Sequence, residues 1–254
     1  MRAVLLAAGR GTRLQQSAAE QHPKCLLQFA GVSLLERHLR LLKAVRVTEI
    51  VLGLGFRHDL VEAELDRLGW TPRPEIVLNP GFELGSMLTV HTVAAALTRG
   101  GDVLLMDADV LYDMRIAHAL AAGNSPVNRI LIDRDFEAGD EPVKVCVARG
   151  VPVELRKQVA PGLTFDTIGE SVGFFRFDAA GARRLAVLVA AHVAADGGVK
   201  PHEEAVRDFI LERSHAIEIV DVTGAPWIEI DFPVDVVRAA GQVLPLLQPL
   251  PGVC

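Results

Sequence analysis

The sequence predicts a Rossmann-like, doubly wound α/β fold: a mostly parallel sheet with helices on both faces and a small mixed-strand insertion. Three observations predict it. Apolar strand-like runs alternate with segments of helical periodicity through the first half of the chain. The first run, around Val4 to Leu6, breaks directly into a glycine-rich basic turn, and Val103-Leu104-Leu105-Met106 is apolar without alternation, as in a strand buried on both faces. In such sheets ligands bind beyond the carboxyl ends of strands, so the Gly9 turn and the Asp107/Asp109 pair, each ending an apolar run, are expected to converge.

Taken in order, strands are expected at 3–7, 49–54, 75–78 and 103–106, with helices at 34–44, 59–68 and 87–97 between them. From about 128 to 177 the pattern shortens to strands at 129–133, 143–148, 153–156 and 171–177, broken by Gly, Pro and acidic turns. This reads as a mixed or antiparallel insertion covering one side of the cleft. Helices at 179–195 and 201–213 follow, and 215–220 and 227–230 are expected to return to the sheet. Pro233, well tolerated in a first turn, starts a closing helix. With no linker or internal repeat, 1–245 reads as one domain and the proline-rich tail 246–254 as a loose end or contact arm.

Composition excludes several classes. A net charge of −6 argues against a nucleic-acid-binding face. Half the residues are hydrophobic, but charges interrupt every apolar run before the ~18 needed to span a bilayer, and no basic segment leads an apolar leader, so a soluble, cytoplasmic protein with no membrane contact is expected. Cys25, Cys146 and Cys254 are far apart and form no C-x-x-C pair; they are expected as reduced thiols.

The turn Gly9-Arg10-Gly11-Thr12-Arg13 followed by Pro23-Lys24 carries the chemistry. Glycines let backbone N–H groups converge on an anion, and Arg10, Arg13 and Lys24 add positive charge. A dinucleotide fingerprint would need glycine where Leu14 stands, and a Walker A loop would need Gly-Lys-Ser/Thr.

The pattern LAAGRGTRL, then HPKCLL, then GVSLLERHL resembles the nucleotidyltransferases that couple a nucleoside triphosphate to a phosphorylated sugar or alcohol. Asn79-Pro80, Gly85-Ser86, the run from Asp107 to Tyr112 and the run from Trp227 to Asp231 follow in the order of the bacterial CTP:phosphocholine cytidylyltransferase-like branch, extending the resemblance from Met1 to about Val243.

The resemblance implies attack by a phosphate or phosphonate oxygen on the α-phosphorus, with pyrophosphate leaving. That nucleophile is already ionised, so charge neutralisation and alignment matter more than a general base. Lys24 is implied at the α-phosphate, Arg13 at the outer phosphates with help from Arg10, and Asp109 and Asp231 as ligands of Mg²⁺. Asp107 shares a face with Asp109 along an extended chain and is a candidate for metal or ligand contact, or a turn cap. The nucleotide is implied around Ala7, Ala8, Gly9, Gly11 and Thr12, with Asn79, Gly85 and Ser86 near the base; an N-cap of the following helix is the other role open to Ser86, and the two are compatible.

On the acceptor side, Lys144 and Lys157 are candidates for the phosphoryl group, with a solvated strand-edge lysine the alternative for each. Glu170, Glu203 and Glu204 are candidates for hydroxyls or an ammonium, and Tyr112, Trp227 and Phe82 for an aromatic contact. His22, His91 and His202 show no metal-ligand spacing and read as structural. The expected partners are CTP and a small phospho-alcohol or phosphonate of the phosphocholine, aminoethyl- or hydroxyalkylphosphonate type. A sugar-1-phosphate enzyme using UTP, GTP or dTTP is the alternative, and a non-catalytic nucleotide-binding module a second. A homodimer through the insertion or the tail is the assembly to test.

Overall fold

Period-two burial fixes the place of the first strand. In β1 (Arg2–Ala7), Ala3 and Leu5 enter one hydrophobic cluster and Val4 enters another, all fully buried, so the strand lies between two helical layers. The computed structural model describes residues 1–14 and 22–252. Cys254 lies outside the described residues.

After β1 come a one-turn 3-10 helix at Lys24–Leu26, a small hairpin of β2 (Gln28–Phe29) and β3 (Val32–Ser33), and α1 (Leu34–Ala44). Then follow β4 (Glu49–Leu54), α2 (His58–Leu68), β5 (Glu75–Leu78), α3 (Ser86–Thr92), α4 (Ala94–Thr98), β6 (Val103–Asp107), β7 (Val110–Tyr112) and α5 (Met114–Ala121). The second half holds β8 (Asn128–Asp133), β9 (Lys144–Ala148), β10 (Val151–Arg156), β11 (Thr167–Phe177), α6 (Ala179–Asp196), α7 (Glu203–Arg213), β12 (Ile217–Asp221), β13 (Trp227–Glu229) and α8 (Pro233–Arg238).

The main sheet runs β10-β9-β11-β6-β1-β4-β5, with β8 joined to β11 and β12 to β8. β6, β1, β4 and β5 are parallel, and the long β11 is antiparallel to β6, β8 and β9. A register shift between Ser171 and Phe175 divides β11, so its first half pairs with β9 and its second with β6. Helices α1, α2 and α5 cover one face and α3, α4, α6 and α7 the other. Away from the cleft, buried Arg176 is held by Asp102 Oδ2 at 2.6 Å and by the Ala121 and Ala122 carbonyls at the end of α5, tying β11 to β6. Among the described residues no helix is long and apolar enough to cross a membrane.

Two expectations are corrected, and two elements are added. The helix expected at 87–97 is two, α3 and α4, broken at Val93; Thr92 Oγ1 donates to Leu88 O at 2.8 Å, a back-bond that disturbs the helical ladder there. The 227–230 run does not rejoin the main sheet: β13 pairs antiparallel with β7 in a separate two-stranded sheet. β7 and α5 themselves went unforeseen, being too short for a periodic pattern; α5 is set by Asp113, whose side chain accepts from Arg115 N–H at its start. The described part of the tail is held against the domain: Gln248 N–H donates to Asp113 Oδ2 at 2.7 Å, and Leu247 and Leu250 pack on the core.

Candidate active site

The turn after β1 shows why glycine is required. Gly11 adopts a left-handed φ of +64°, and the Lys24 stem passes where a Cβ would sit, with Cγ only 3.0 Å from that point. Pro23 leads into the turn Lys24–Leu26, closed by Leu26 N–H to Pro23 O at 2.9 Å and Leu27 N–H to Lys24 O at 3.0 Å, while buried Cys25 anchors it. Lys24 is thereby aimed across the cleft: Nζ donates to Asp109 Oδ2 at 2.9 Å and Asp231 Oδ1 at 2.6 Å.

Backbone bonds hold both aspartates in place. Ala108 N–H donates to Leu6 O at 3.2 Å and Ile230 N–H to Asp109 O at 3.0 Å, stitching together the ends of β1, β6 and β13. Asp235 Oδ2 accepts the N–H groups of Asp231 (3.0 Å) and Phe232 (2.7 Å). Arg13 reaches Asp231 Oδ2 at 3.1 Å, donates to Glu141 Oε2 at 2.9 Å and lies over the Phe232 ring.

Glu229, two residues before Asp231, is a functional candidate that the sequence reading missed. Asp109, Glu229 and Asp231 each offer one oxygen, all within 4.8 Å of one another, an all-oxygen donor set that suits a hard divalent cation. Glu229 is open to water along the cleft; confinement there, then the charges of Asp109 and Asp231, hold its carboxyl well above the usual range. Asp107 is raised likewise, by burial first and then by Glu203 and Asp109. Burial works against the Lys24 ammonium, but Asp109 and Asp231 outweigh it and lift its pKa above the ordinary value. The Lys24 side chain therefore stays an ammonium at neutral pH.

Ala8, Gly9, Gly85, Ser86 and Asp107 share a cleft of about 380 Å³ with Arg13, Lys24, Lys157, Asp109 and Asp231. Ala7 and Gly11 border a recess of about 90 Å³ beside it, between Lys24 and Asp109. Lys157 is paired with Glu141 at 2.9 Å, opposite Arg13 on the same carboxylate. The chain is not extended across Asp107 and Asp109, because β6 ends at Asp107, yet both reach the cleft.

Other sequence candidates are placed elsewhere. Asn79 is buried and occupied, Nδ2 donating to Thr89 Oγ1 at 3.0 Å and Oδ1 accepting Gly81 N–H at 2.9 Å, so it shapes the turn before α3. Tyr112 points into the core, its hydroxyl 3.2 Å from His38 Nδ1 and its ring against Phe174. Lys144 bonds the carbonyls of Gly139 (2.6 Å), Pro142 (3.3 Å) and Lys157 (2.6 Å), pinning the 139–142 loop. Arg10 lies at the rim against Glu83 and the Phe56 ring, and Thr12 sits exposed in the 11–14 turn. Ser86 is not the N-cap of α3, a place taken by Gly85; its hydroxyl accepts His202 N–H at 2.9 Å. Cys25 and Cys146 are buried thiols, pushed up to about 12 and about 11.

A second cavity, of about 650 Å³, adjoins the cleft through Glu141, Glu229 and Asp231. Phe136, Trp227 and Phe232 line it together with Asp133, Glu137 and Glu170. Trp227 is held by its Nε1–H bond to Asp133 Oδ2 at 2.8 Å. Glu170 is pushed up to about 7, by burial first and then by Asp133.

The model of the MobA-like NTP transferase domain matches residues 3–162. The CMP-5'-(3-aminopropyl)phosphonate synthase of Streptomyces rubellomurinus is 25% identical over 251 residues, covering 92% of this chain and 37% of that protein. The bifunctional IPC transferase and DIPP synthase of Rubrobacter xylanophilus is 26% identical over 243 residues, covering 95% of this chain and 52% of that protein. The chain thus spans about a third and about a half of these two relatives. The structure of the inositol-1-phosphate CTP transferase from T. maritima superposes with a TM-score of 0.73 at 19% identity, covering 98% of both chains, and so shares the fold.

Proposed function

The chain belongs to the MobA-like NTP transferase domain family, and from that premise we propose that it transfers CMP from CTP to a small phosphorylated alcohol or phosphonate, releasing pyrophosphate. One observation carries the reading: Lys24 and Arg13 converge on Asp109, just past β6, and Asp231, just past β13, beside the turn that holds Gly9 and Gly11. The site pairs cations for a triphosphate with carboxylates for a metal. The relatives' names, an aminopropylphosphonate synthase and an inositol-1-phosphate CTP transferase, support cytidine as the donor base.

In the proposed reaction an acceptor oxygen attacks the α-phosphorus; the new O–P bond forms as the bond to the bridging oxygen of pyrophosphate breaks. Lys24 holds the charge growing on the α-phosphate, and Arg13, drawn from Glu141 and Asp231, meets the departing phosphates. Asp109 and Asp231, with Glu229 beside them, fit Mg²⁺ by their oxygen-only donor set. Bound there, Mg²⁺ would neutralise triphosphate charge and favour the leaving group. Lys157 lines the same cleft and is suited to the acceptor's phosphoryl group.

The adjoining cavity favours an acceptor whose far end is an ammonium. Aromatic rings and carboxylates together attract a cation. Pyrophosphate release with Mg²⁺ tests the reading, crossing CTP, UTP, GTP, ATP and dTTP against phosphocholine, 2-aminoethylphosphonate, inositol phosphate and hexose 1-phosphates. Turnover with CTP and an ammonium-bearing acceptor is expected; turnover with sugar phosphates alone would overturn it.

A further inference from the structure

His202 and Glu203 enter the cleft from the start of α7 and face Ser86 at the start of α3. Ser86 Oγ accepts the His202 backbone N–H at 2.9 Å and lies 3.2 Å from His202 Nδ1. Glu203 Oε2 is 3.1 Å from the same Nδ1. Both Glu203 Oε2 and His202 Nε2 are buried without an aligned hydrogen-bond partner, and the His202 side chain is only 3% exposed.

We propose that Glu203 and His202 are positioning residues that fix Ser86 as a hydrogen-bond donor to the nucleotide base, making the cleft select a pyrimidine whose N3 carries a lone pair. The inference rests on the cytidylyl-transfer reading above. A serine hydroxyl has one proton and two lone pairs. The His202 backbone N–H takes one lone pair whatever the imidazole does, so Nδ1 decides the rest. A lone pair on Nδ1 would draw the hydroxyl proton inward and leave Ser86 an acceptor toward the cleft. A proton on Nδ1 fills the second lone pair and turns the Ser86 proton outward.

The Glu203 carboxylate decides between these tautomers. Facing Nδ1 at 3.1 Å, it repels a lone pair there and attracts an N–H, so Nδ1 carries the proton. Ser86 then presents O–H to the cleft it lines. Cytosine N3 accepts such a bond, whereas uracil carries N3–H and meets it donor to donor.

The test joins a tautomer measurement to a discrimination measurement. Long-range ¹H–¹⁵N spectra of the full chain are expected to show His202 protonated at Nδ1, and the Glu203→Gln variant is expected to move that proton to Nε2. An Nε2–H tautomer in the unmodified chain overturns the proposal. The ratio of kcat/KM for CTP to that for UTP is expected to fall about 10-fold in Glu203→Gln, the scale of one hydrogen bond. It should fall as far in Ser86→Ala and no further in the double variant. An equal loss for both nucleotides, or a Glu203→Gln effect that persists without Ser86, would mean a merely structural role and overturn it. If neither CTP nor UTP supports turnover, the reading of the reaction fails, and the tautomer measurement alone decides the Glu203–His202 arrangement.

Discussion

Replacing Lys24 with Met keeps the stem that threads past Gly11 and deletes the charge. The ammonium is 2.9 Å from Asp109 and 2.6 Å from Asp231 and its side chain is 15% exposed. At an effective dielectric of ~20, each contact is a gross attraction of about 6 kcal/mol, most of it offset by desolvation. Breaking such a partly buried pair leaves carboxylates unpaired, at a cost of about 3 kcal/mol. For a chain of this size that lowers the melting temperature by ~6–12 °C at pH 8. The loss should shrink toward pH 5. The ammonium lowers the raised carboxyls of Asp107 and Glu229, so without it these rise further, cost stability once ionised and are relieved as they protonate. Turnover should fall more steeply, by ~10²–10³ in kcat, because a preorganised charge at the reacting phosphate is gone. Pyrophosphate release at saturating CTP and acceptor, with melting curves at both pH values, measures the two effects. A variant that retains more than about a tenth of wild-type kcat, or melts within ~2 °C of wild type at pH 8, refutes the reasoning.

Other predictions follow from the same geometry. Removing divalent cations with EDTA should silence turnover and added Mg²⁺ restore it, while Asp109→Asn should lose at least ~10² in kcat and weaken Mg²⁺ binding measured by calorimetry; cation-independent turnover would refute this. Glu170 sits at about 7 in the folded chain, against about 4.3 unfolded. Its ionisation therefore costs stability, and wild type should lose ground to Glu170→Gln as pH rises from about 4.3 toward 7. A melting-temperature difference that stays flat from pH 5 to 8 would contradict that placement. Gly85→Ala places a Cβ 3.1 Å from the carbonyl oxygens of Gly198 and Lys200 at a φ of +149°, displacing the start of α3. Its KM for nucleotide should rise several-fold with the acceptor KM unchanged, and equal changes in both would count against a nucleotide role for this corner.

The amino-acid sequence by itself determined the parallel half of the sheet and the turn that follows β1, and the resemblance it carries pointed to Lys24, Asp109 and Asp231. Alternation of apolar runs is a local property, and β4 and β5 begin and end where their composition says they should. The glycine and proline spacing around Lys24 is equally local. Only the tertiary structure decided where side chains point at strand ends. It set Lys24 between carboxylates 85 and 207 residues away, added Glu229 to them, and brought His202 and Glu203 to Ser86 from a helix 116 residues on. It also turned Tyr112 and Asn79 inward, where neighbours from other segments satisfy their polar groups. Those outcomes depend on which segments meet at the mouth of the sheet, because a short turn or a three-residue strand such as β7 takes its direction from its partners across space.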